Sequence, residues 1–301
     1  MVGHPTPRVA PGILKRIALF FCAGLFIWID SSWAAPQYPQ RIISMSPSIT
    51  ETLFALGVGN RVVGVTDFCS YPKVACALPK IGGLLNPSVE AWIILKPDLI
   101  IHQDDSHKLR INAQNLGIRT LAVSMTSLQN IFNTIQTFGD VLGCEADAQA
   151  LIEQLQSGIQ RQQARLRNIP KKTTLLLLGD GSNPGGALYA VGRSTFLGEL
   201  LELAGGENIL TDPEINYPKI SKEFILRHSP AVIIEAGPDA NMSAGEKEKK
   251  LKQWQRFPTL TAVKNETIYF IGADYILIPG PRFLNILDHF ARAIHPDAFK
   301  D

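Results

Sequence analysis

Short apolar runs alternate with stretches of helical spacing along most of the chain. The continuous apolar run at 99–101 and the run TTLLLL at 173–178 are typical of parallel strands that are covered on both faces. Between such runs, apolar residues recur every three or four positions, and Gly or Pro ends each stretch. Strands that alternate with helices through short loops predict an α/β fold with mainly parallel sheets.

One helix-strand unit occurs twice. The sequence PSVEAWIILKPDLII at 87–101 predicts a short helix, a break at Pro and a buried strand, and SKEFILRHSPAVIIEAG at 221–237 repeats that order. Upstream of each unit lie a helix, a glycine stop, an Asn and a Tyr-Pro pair. This shared order predicts two related lobes. The paired residues are Glu90 and Glu223, Pro97 and Pro230, and the Tyr-Pro pairs Tyr71-Pro72 and Tyr217-Pro218.

The remaining segments define the predicted domain boundaries. Residues 127–168 have the longest stretch of helical spacing, interrupted only at Gly143-Cys144, and we expect them to form a helix that links the lobes. The lobes are then residues 35–126 and 169–301. Residues 1–34 combine three basic residues, a 13-residue apolar run and small residues near Ala34, which predicts a cleavable secretory signal. A retained anchor is the alternative.

Composition narrows the classes of function. Without residues 1–34 the chain has 26 basic and 26 acidic side chains, and a neutral domain argues against nucleic-acid binding. The sequence contains no Gly-x-Ser-x-Gly, no His-Glu-x-x-His and no P-loop lysine, so we predict neither a catalytic nor a metal site. In an oxidising compartment, Cys69 and Cys76 lie close enough in one loop to form a disulfide. We expect Cys144 to be buried.

The loops that follow the strands supply the candidate binding residues. Ligands of open α/β sheets bind beyond the carboxyl ends of the strands. The loops there contain Tyr71, Tyr217 and Tyr275, with Asp274 and Arg282 as charged groups. Two lobes that bring these loops together predict a cleft for a large, flat, partly apolar ligand. The alternative for each Tyr is packing on its own lobe.

Glu90 and Glu223 each occupy the first turn of a predicted helix. A carboxylate there is stabilised by the helix dipole, which is a sufficient structural reason for both. The functional alternative is that two equivalent carboxylates, one in each lobe, dock onto basic residues of a two-fold partner.

The segments at 41–72, 86–101, 192–209 and 221–237 resemble class III periplasmic substrate-binding proteins of ABC importers, and the resemblance covers residues 40–296. It implies two α/β lobes joined by a single long helix, limited hinge motion, no catalysis and no cofactor. It also implies a monomer in the periplasm whose partners are a small molecule and the importer's permease dimer at the inner membrane. By the same resemblance, Glu90 and Glu223 dock onto that permease.

Within this family the sequence is most similar to the cobalamin-binding type. Two departures are Leu84-Leu85 and Tyr217, at positions where that type has tryptophans in its cleft. We therefore expect a corrinoid ligand, with a ferric siderophore or haem as the alternative. A secreted enzyme with a two-lobed cleft and a metal-ion carrier are alternatives of other classes. The implied ligand-binding residues are Tyr71, Leu84, Leu85, Tyr217, Asp274, Tyr275, Ile276, Leu277, Ile278 and Arg282.

Overall fold

The computed structural model of the 301-residue chain describes residues 1–4, 38–83, 86–103, 107–179 and 188–300. All but the first four residues of the predicted signal segment lie outside these ranges, as do Leu84 and Leu85. Both lobes belong to the unit 38–301.

The first lobe contains a parallel sheet of four strands in the order β2-β1-β3-β4. The central strands are buried along almost their whole length, as their apolar runs predict. The edge strand β4 is mostly exposed, and its residues are more polar. The strands are β1 (Ile42–Ser44), β2 (Val62–Val65), β3 (Leu99–Gln103) and β4 (Arg119–Val123), and the helices are α1 (Pro47–Ala55), α2 (Val89–Leu95) and α3 (His107–Asn115).

The connecting segment contains two helices rather than one. α4 (Leu128–Leu142) ends at Gly143, which adopts a left-handed conformation with φ of 68°, and α5 (Glu145–Leu166) begins two residues later and packs against it. A Cβ at Gly143 would lie 2.2 Å from the ring of Tyr38, so this turn requires glycine. The predicted linking helix at 127–168 is therefore a helical pair, and its long member is α5 with 22 residues.

The second lobe has a mixed sheet of six strands. β5, β7, β9 and β10 are parallel, whereas β6 runs antiparallel to both β5 and β8. The sequence patterns at 173–178 and 221–237 predict β5 and β9. They miss β6 to β8, because strands of two or three residues show no measurable period. The strands are β5 (Lys172–Leu178), β6 (Leu188–Ala190), β7 (Gly206–Asn208), β8 (Lys219–Ile220), β9 (Val232–Gly237) and β10 (Ile268–Gly272), and the helices are α6 (Phe196–Leu203), α7 (Lys222–His228), α8 (Ala244–Trp254), α9 (Thr261–Lys264) and α10 (Phe283–Ile294).

The two copies of the repeated unit agree in structural detail. α2 and α7 each have seven residues, and each begins after a serine whose hydroxyl accepts a backbone N–H, at Ser88 and Ser221. Each helix ends at a residue of positive φ directly before a proline, at Lys96 and Ser229. Corresponding residues lie 133 positions apart throughout the unit.

A single apolar core connects the lobes. It contains residues of β1 and α1 in the first lobe, of α4 and α5, and of α6 and α10 in the second lobe. Each lobe also has a smaller cluster on the outer face of its sheet. Within the described ranges, no helix has both the length and the apolar character needed to cross a membrane.

The predicted disulfide between Cys69 and Cys76 is wrong. Both thiols are free in the structure. The sulfur of Cys69 is buried and lies 3.1 Å from the hydroxyls of Thr50 and Thr66, whereas Cys76 is exposed and donates to the carbonyl of Ser70 at 3.1 Å. The two side chains point into different surroundings, so proximity in the loop does not pair them. Cys144 is buried, as expected.

Candidate functional site

Arg282 joins the two lobes at the carboxyl edge of their sheets. It precedes α10 in the second lobe, and its guanidinium donates to both carboxylate oxygens of Glu51 in α1 of the first lobe, from Nε at 2.8 Å and from Nη2 at 2.5 Å. Nη1 donates to both oxygens of Asp274, at 2.9 and 3.1 Å. Such two-pronged hydrogen bonds fix the plane of the guanidinium.

Two tyrosine rings lie against the same guanidinium. The ring centre of Tyr71 is 4.0 Å from the guanidinium carbon, and that of Tyr275 is 4.9 Å from it. These distances are typical of cation–π contacts. The hydroxyl of Tyr275 is also hydrogen-bonded to Nε2 of His289 at 2.8 Å. The structure therefore gathers four of the predicted residues, Tyr71, Asp274, Tyr275 and Arg282, around one cation.

Electrostatics keep this cation charged. Burial by itself would lower the pKa of Arg282, but the hydrogen bonds to Glu51 and Asp274 outweigh that effect and raise it. Burial raises the pKa of the Glu51 carboxyl, and the hydrogen bonds from Arg282 oppose this rise. Burial also raises the pKa of Tyr275. With two carboxylates bound, Arg282 is a neutralised anchor rather than an excess positive charge.

A cavity of about 340 Å³ lies beside Arg282. It is bounded by α1, the Tyr71-Pro72 loop, α5 and the segment Pro281-Arg282, so residues of both lobes line it. Phe54 and Leu151 supply part of its apolar wall. Its volume is at the lower end of the range of small-molecule sites, so it fits part of a large ligand.

Exposed apolar side chains surround this edge. Tyr189 is in register with Leu178, the last residue of β5, which places it at the carboxyl edge of the second sheet. Tyr217 follows in the loop before β8, where burial raises the pKa of its phenol and a hydrogen bond with Thr195 partly offsets the rise. The exposed side chains here are those of Phe68, Tyr71, Tyr189, Ile215, Tyr217 and Leu277.

Not every predicted ligand residue faces this edge. Ile276 is fully buried in the apolar core, because the loop turns that side chain inward, so the structure does not bring it to this edge. Leu277 is exposed and Ile278 is half-buried. Leu84 and Leu85 lie outside the described residues.

The sequence reading missed four residues at the site: Glu51, Phe68, Tyr189 and Ile215. Phe68 and Ile215 stand within three residues of predicted tyrosines, and this closeness was an available signal. Glu51 and Tyr189 had no such signal, because one lies within a helix and the other on a short strand that was not predicted.

Glu90 and Glu223 are both exposed in the first turns of α2 and α7. The hydroxyl of Ser88 donates to Glu90 at 3.2 Å, and a hydrogen bond with Ser221 lowers the pKa of Glu223. α2 connects β2 to the parallel strand β3, and α7 connects β8 to the parallel strand β9. A helix that connects two parallel strands runs in the opposite direction to them, so both helices are antiparallel to the strands of their sheets. Both carboxylates therefore lie at the carboxyl edges of their own sheets.

Two α/β lobes with candidate binding residues on facing loops, joined through one core, are the architecture of a two-lobed ligand-binding protein. The chain belongs to the periplasmic binding protein family, whose model matches residues 42–275. It is an ABC transporter substrate-binding protein of the type that binds vitamin B12, haem or siderophores. It is not an enzyme. Such proteins work outside the cytoplasm with permease and ATPase partners at the membrane.

Three known proteins illustrate the likeness. An uncharacterised ABC transporter substrate-binding lipoprotein of Bacillus subtilis, YvrC, is 29% identical over 87% of this chain and 82% of its own length. The vitamin B12-binding protein of Vibrio cholerae is 27% identical over 90% of this chain and 95% of its own. A periplasmic heme-binding protein of Pseudomonas aeruginosa shares the fold, with a TM-score of 0.72, 24% identity and coverage of 86% of this chain and 93% of its own.

Proposed function

We propose that the protein captures a corrinoid between its lobes and delivers it to an ABC importer. The observation that carries this proposal is the Arg282 anchor, held by Glu51 and Asp274 and flanked by Tyr71 and Tyr275 at the junction of the lobes. The B12-binding relative adds support, because the alignment covers nearly all of both chains.

The chemistry of the edge suits a corrinoid. A corrin is a broad macrocycle with neutral amide side chains. Exposed aromatic rings such as Phe68 and Tyr71 offer faces for the macrocycle, and the partly exposed carboxylate of Asp274 can accept hydrogen bonds from the amides.

Haem is the second candidate, and Tyr71 is the observation in its favour. Tyr71 is exposed, and a phenol can bind ferric iron. The structurally similar protein from Pseudomonas aeruginosa binds heme. The charges at Arg282 favour the corrinoid. Two carboxylates already bind this guanidinium, so the cluster is net negative and less suited to the two propionates of haem.

We further propose how the protein works in the cell. It acts as a monomer in the periplasm after removal of residues 1–34, and its lobes dock through Glu90 and Glu223 onto basic residues of the permease dimer. The exposure of both glutamates, each at the carboxyl edge of its own sheet, supports this arrangement.

Calorimetric titration of residues 35–301 with cyanocobalamin tests the ligand. We expect saturable one-to-one binding, and an affinity at least about tenfold weaker after Tyr71→Ala or Tyr217→Ala, because truncating a buried aromatic contact typically has this effect. Leu116→Ala is the matched control, since Leu116 is exposed at the opposite edge of the first sheet. Binding of haemin or of ferrichrome without cyanocobalamin would overturn the corrinoid proposal and keep the transporter class.

A further inference from the structure

An exposed apolar side chain accompanies each of the two docking glutamates at the same spacing. Ile93 comes three residues after Glu90 and is 56% exposed, and Leu226 comes three residues after Glu223 and is 37% exposed. Residues three apart on a helix lie on the same side. Each carboxylate therefore has an apolar neighbour one turn away, on the surface of its lobe.

These apolar side chains are not needed for the packing of their helices. Trp92 and Ile225, at equivalent positions of α2 and α7, are buried and attach the two helices to their sheets. α2 has a further exposed residue, Ile94, which is 77% exposed. Single exposed apolar residues are ordinary on protein surfaces, but the same placement in both copies of a repeated unit indicates a shared role.

One difference between the two copies changes the apolar area beside the glutamate. Four residues after the glutamate, the first lobe has Ile94, whereas the second lobe has the exposed Arg227. Around its glutamate, the first lobe thus offers the larger apolar area.

We infer that Ile93 and Leu226 are apolar anchors of the docking surface. This inference rests on the proposed function, and its partner is a two-fold permease dimer that presents, in each copy, a basic side chain beside an apolar pocket. Exposed carboxylates mainly guide the approach of a partner, and salt weakens their effect. Apolar side chains that lose their water on contact determine how long a complex lasts. Ile94 enlarges the anchor in the first lobe.

Binding kinetics separate the two contributions. Wild-type protein and its variants are passed over the permease–ATPase complex of the organism's own importer, held in lipid nanodiscs, at low and at high salt. For Glu90→Ala with Glu223→Ala we expect slower association and a weaker salt dependence. For Ile93→Ala with Leu226→Ala we expect dissociation at least about tenfold faster, with the salt dependence of the wild type.

Two matched comparisons complete the experiment. Leu116→Ala removes an equally exposed leucine from the opposite edge and should leave both rate constants unchanged. Ile93→Ala with Ile94→Ala should accelerate dissociation more than Leu226→Ala. Calorimetry with cyanocobalamin and urea unfolding verify that each variant folds and binds like the wild type.

The outcomes distinguish the inference from the proposed function. If the wild type fails to bind the complex, the proposed function is wrong and the inference with it. If the wild type binds and the glutamate variants associate more slowly, but Ile93→Ala with Leu226→Ala dissociates at the wild-type rate, only the inference is overturned.

Discussion

At the scale of single residues, the ion pair between Glu51 and Arg282 is the most consequential contact at the site. The Glu51 side chain is 2% exposed and that of Arg282 is 13% exposed, so neither charge is compensated by water. Asp274, in contrast, is 52% exposed. Glu51 therefore holds the inner side of the guanidinium, and Asp274 holds the side that faces solvent.

Replacing Glu51 with Ala should destabilise the protein strongly. The change leaves a buried guanidinium with only one carboxylate, and removing one partner of a buried ion pair typically costs about 3–5 kcal/mol in the free energy of unfolding. Asp274→Ala should cost less, because water replaces its exposed carboxylate. Urea unfolding measures both.

The exposed pair of Glu248 and Lys252 provides the control. Both side chains are about two-thirds exposed, so Glu248→Ala should leave the urea midpoint unchanged. If Glu51→Ala unfolds at the wild-type urea concentration, the ion pair does not stabilise the folded protein.

From the sequence, residues of the site could be predicted only where they follow a predicted strand. Tyr71, Asp274 and Arg282 follow predicted strands, so the rule for open sheets placed them at one edge. Glu51 lies in the middle of α1, where a glutamate is normally solvent-facing, and its partner lies 231 residues away. One sequence taken by itself contains no signal for such a pairing.

At the scale of elements, the beginnings of α4 and α6 are joined by hydrogen bonds. The carboxylate of Glu199 in α6 accepts the backbone N–H of Leu128, the first residue of α4, at 2.6 Å. The N–H of Phe196 donates to the carbonyl of Thr126 at 3.0 Å. A side chain of the second lobe thus caps the connecting helix, and this contact resists movement where the lobes join.

Glu199 should give stability a pH dependence of a particular sign. Burial raises the pKa of its carboxyl above the ordinary value of 4.5, although the bond from Leu128 opposes the rise. The folded state therefore binds this proton more tightly than the unfolded state. Stability then falls as the pH rises from about 4.5 through the raised pKa.

Glu199→Gln isolates this effect, because the amide oxygen still accepts the N–H of Leu128 but carries no charge. The free energy of unfolding of the variant, relative to the wild type, should increase across that pH window and then level off. Urea unfolding from about pH 4 to about pH 7 measures the difference, in which other carboxyl groups cancel. A difference that stays constant with pH would contradict the prediction.

Elements were predictable where they are long or fully buried. The runs at 99–101 and 173–178 predict β3 and β5, because apolar residues fill most of both strands. The division between α4 and α5 was visible only as an interruption at Gly143, and its meaning depends on the ring of Tyr38, which lies against this turn. Local patterns do not report such tertiary contacts.

At the scale of the whole molecule, the continuous core limits how far the lobes can move. Residues of both lobes and of α5 belong to one apolar cluster, and opening the lobes widely would expose part of it to water. Burial of apolar surface contributes about 25 cal/mol for each Å², so wide opening is unfavourable. The bonds of Arg282 to Glu51 and of Glu199 to Leu128 add to this resistance.

We therefore expect similar distances between the lobes with and without ligand. Cys76 is an exposed thiol in the first lobe and accepts a spin label directly, and Lys247→Cys in α8 supplies a second exposed position in the other lobe. Pulsed electron resonance should give one narrow distance distribution that changes little when cyanocobalamin is added. A Cys76→Ala control with the α8 label alone shows whether the buried Cys69 and Cys144 react. A second, longer distance that is present without ligand and disappears on its addition would show that the core does not hold the lobes together.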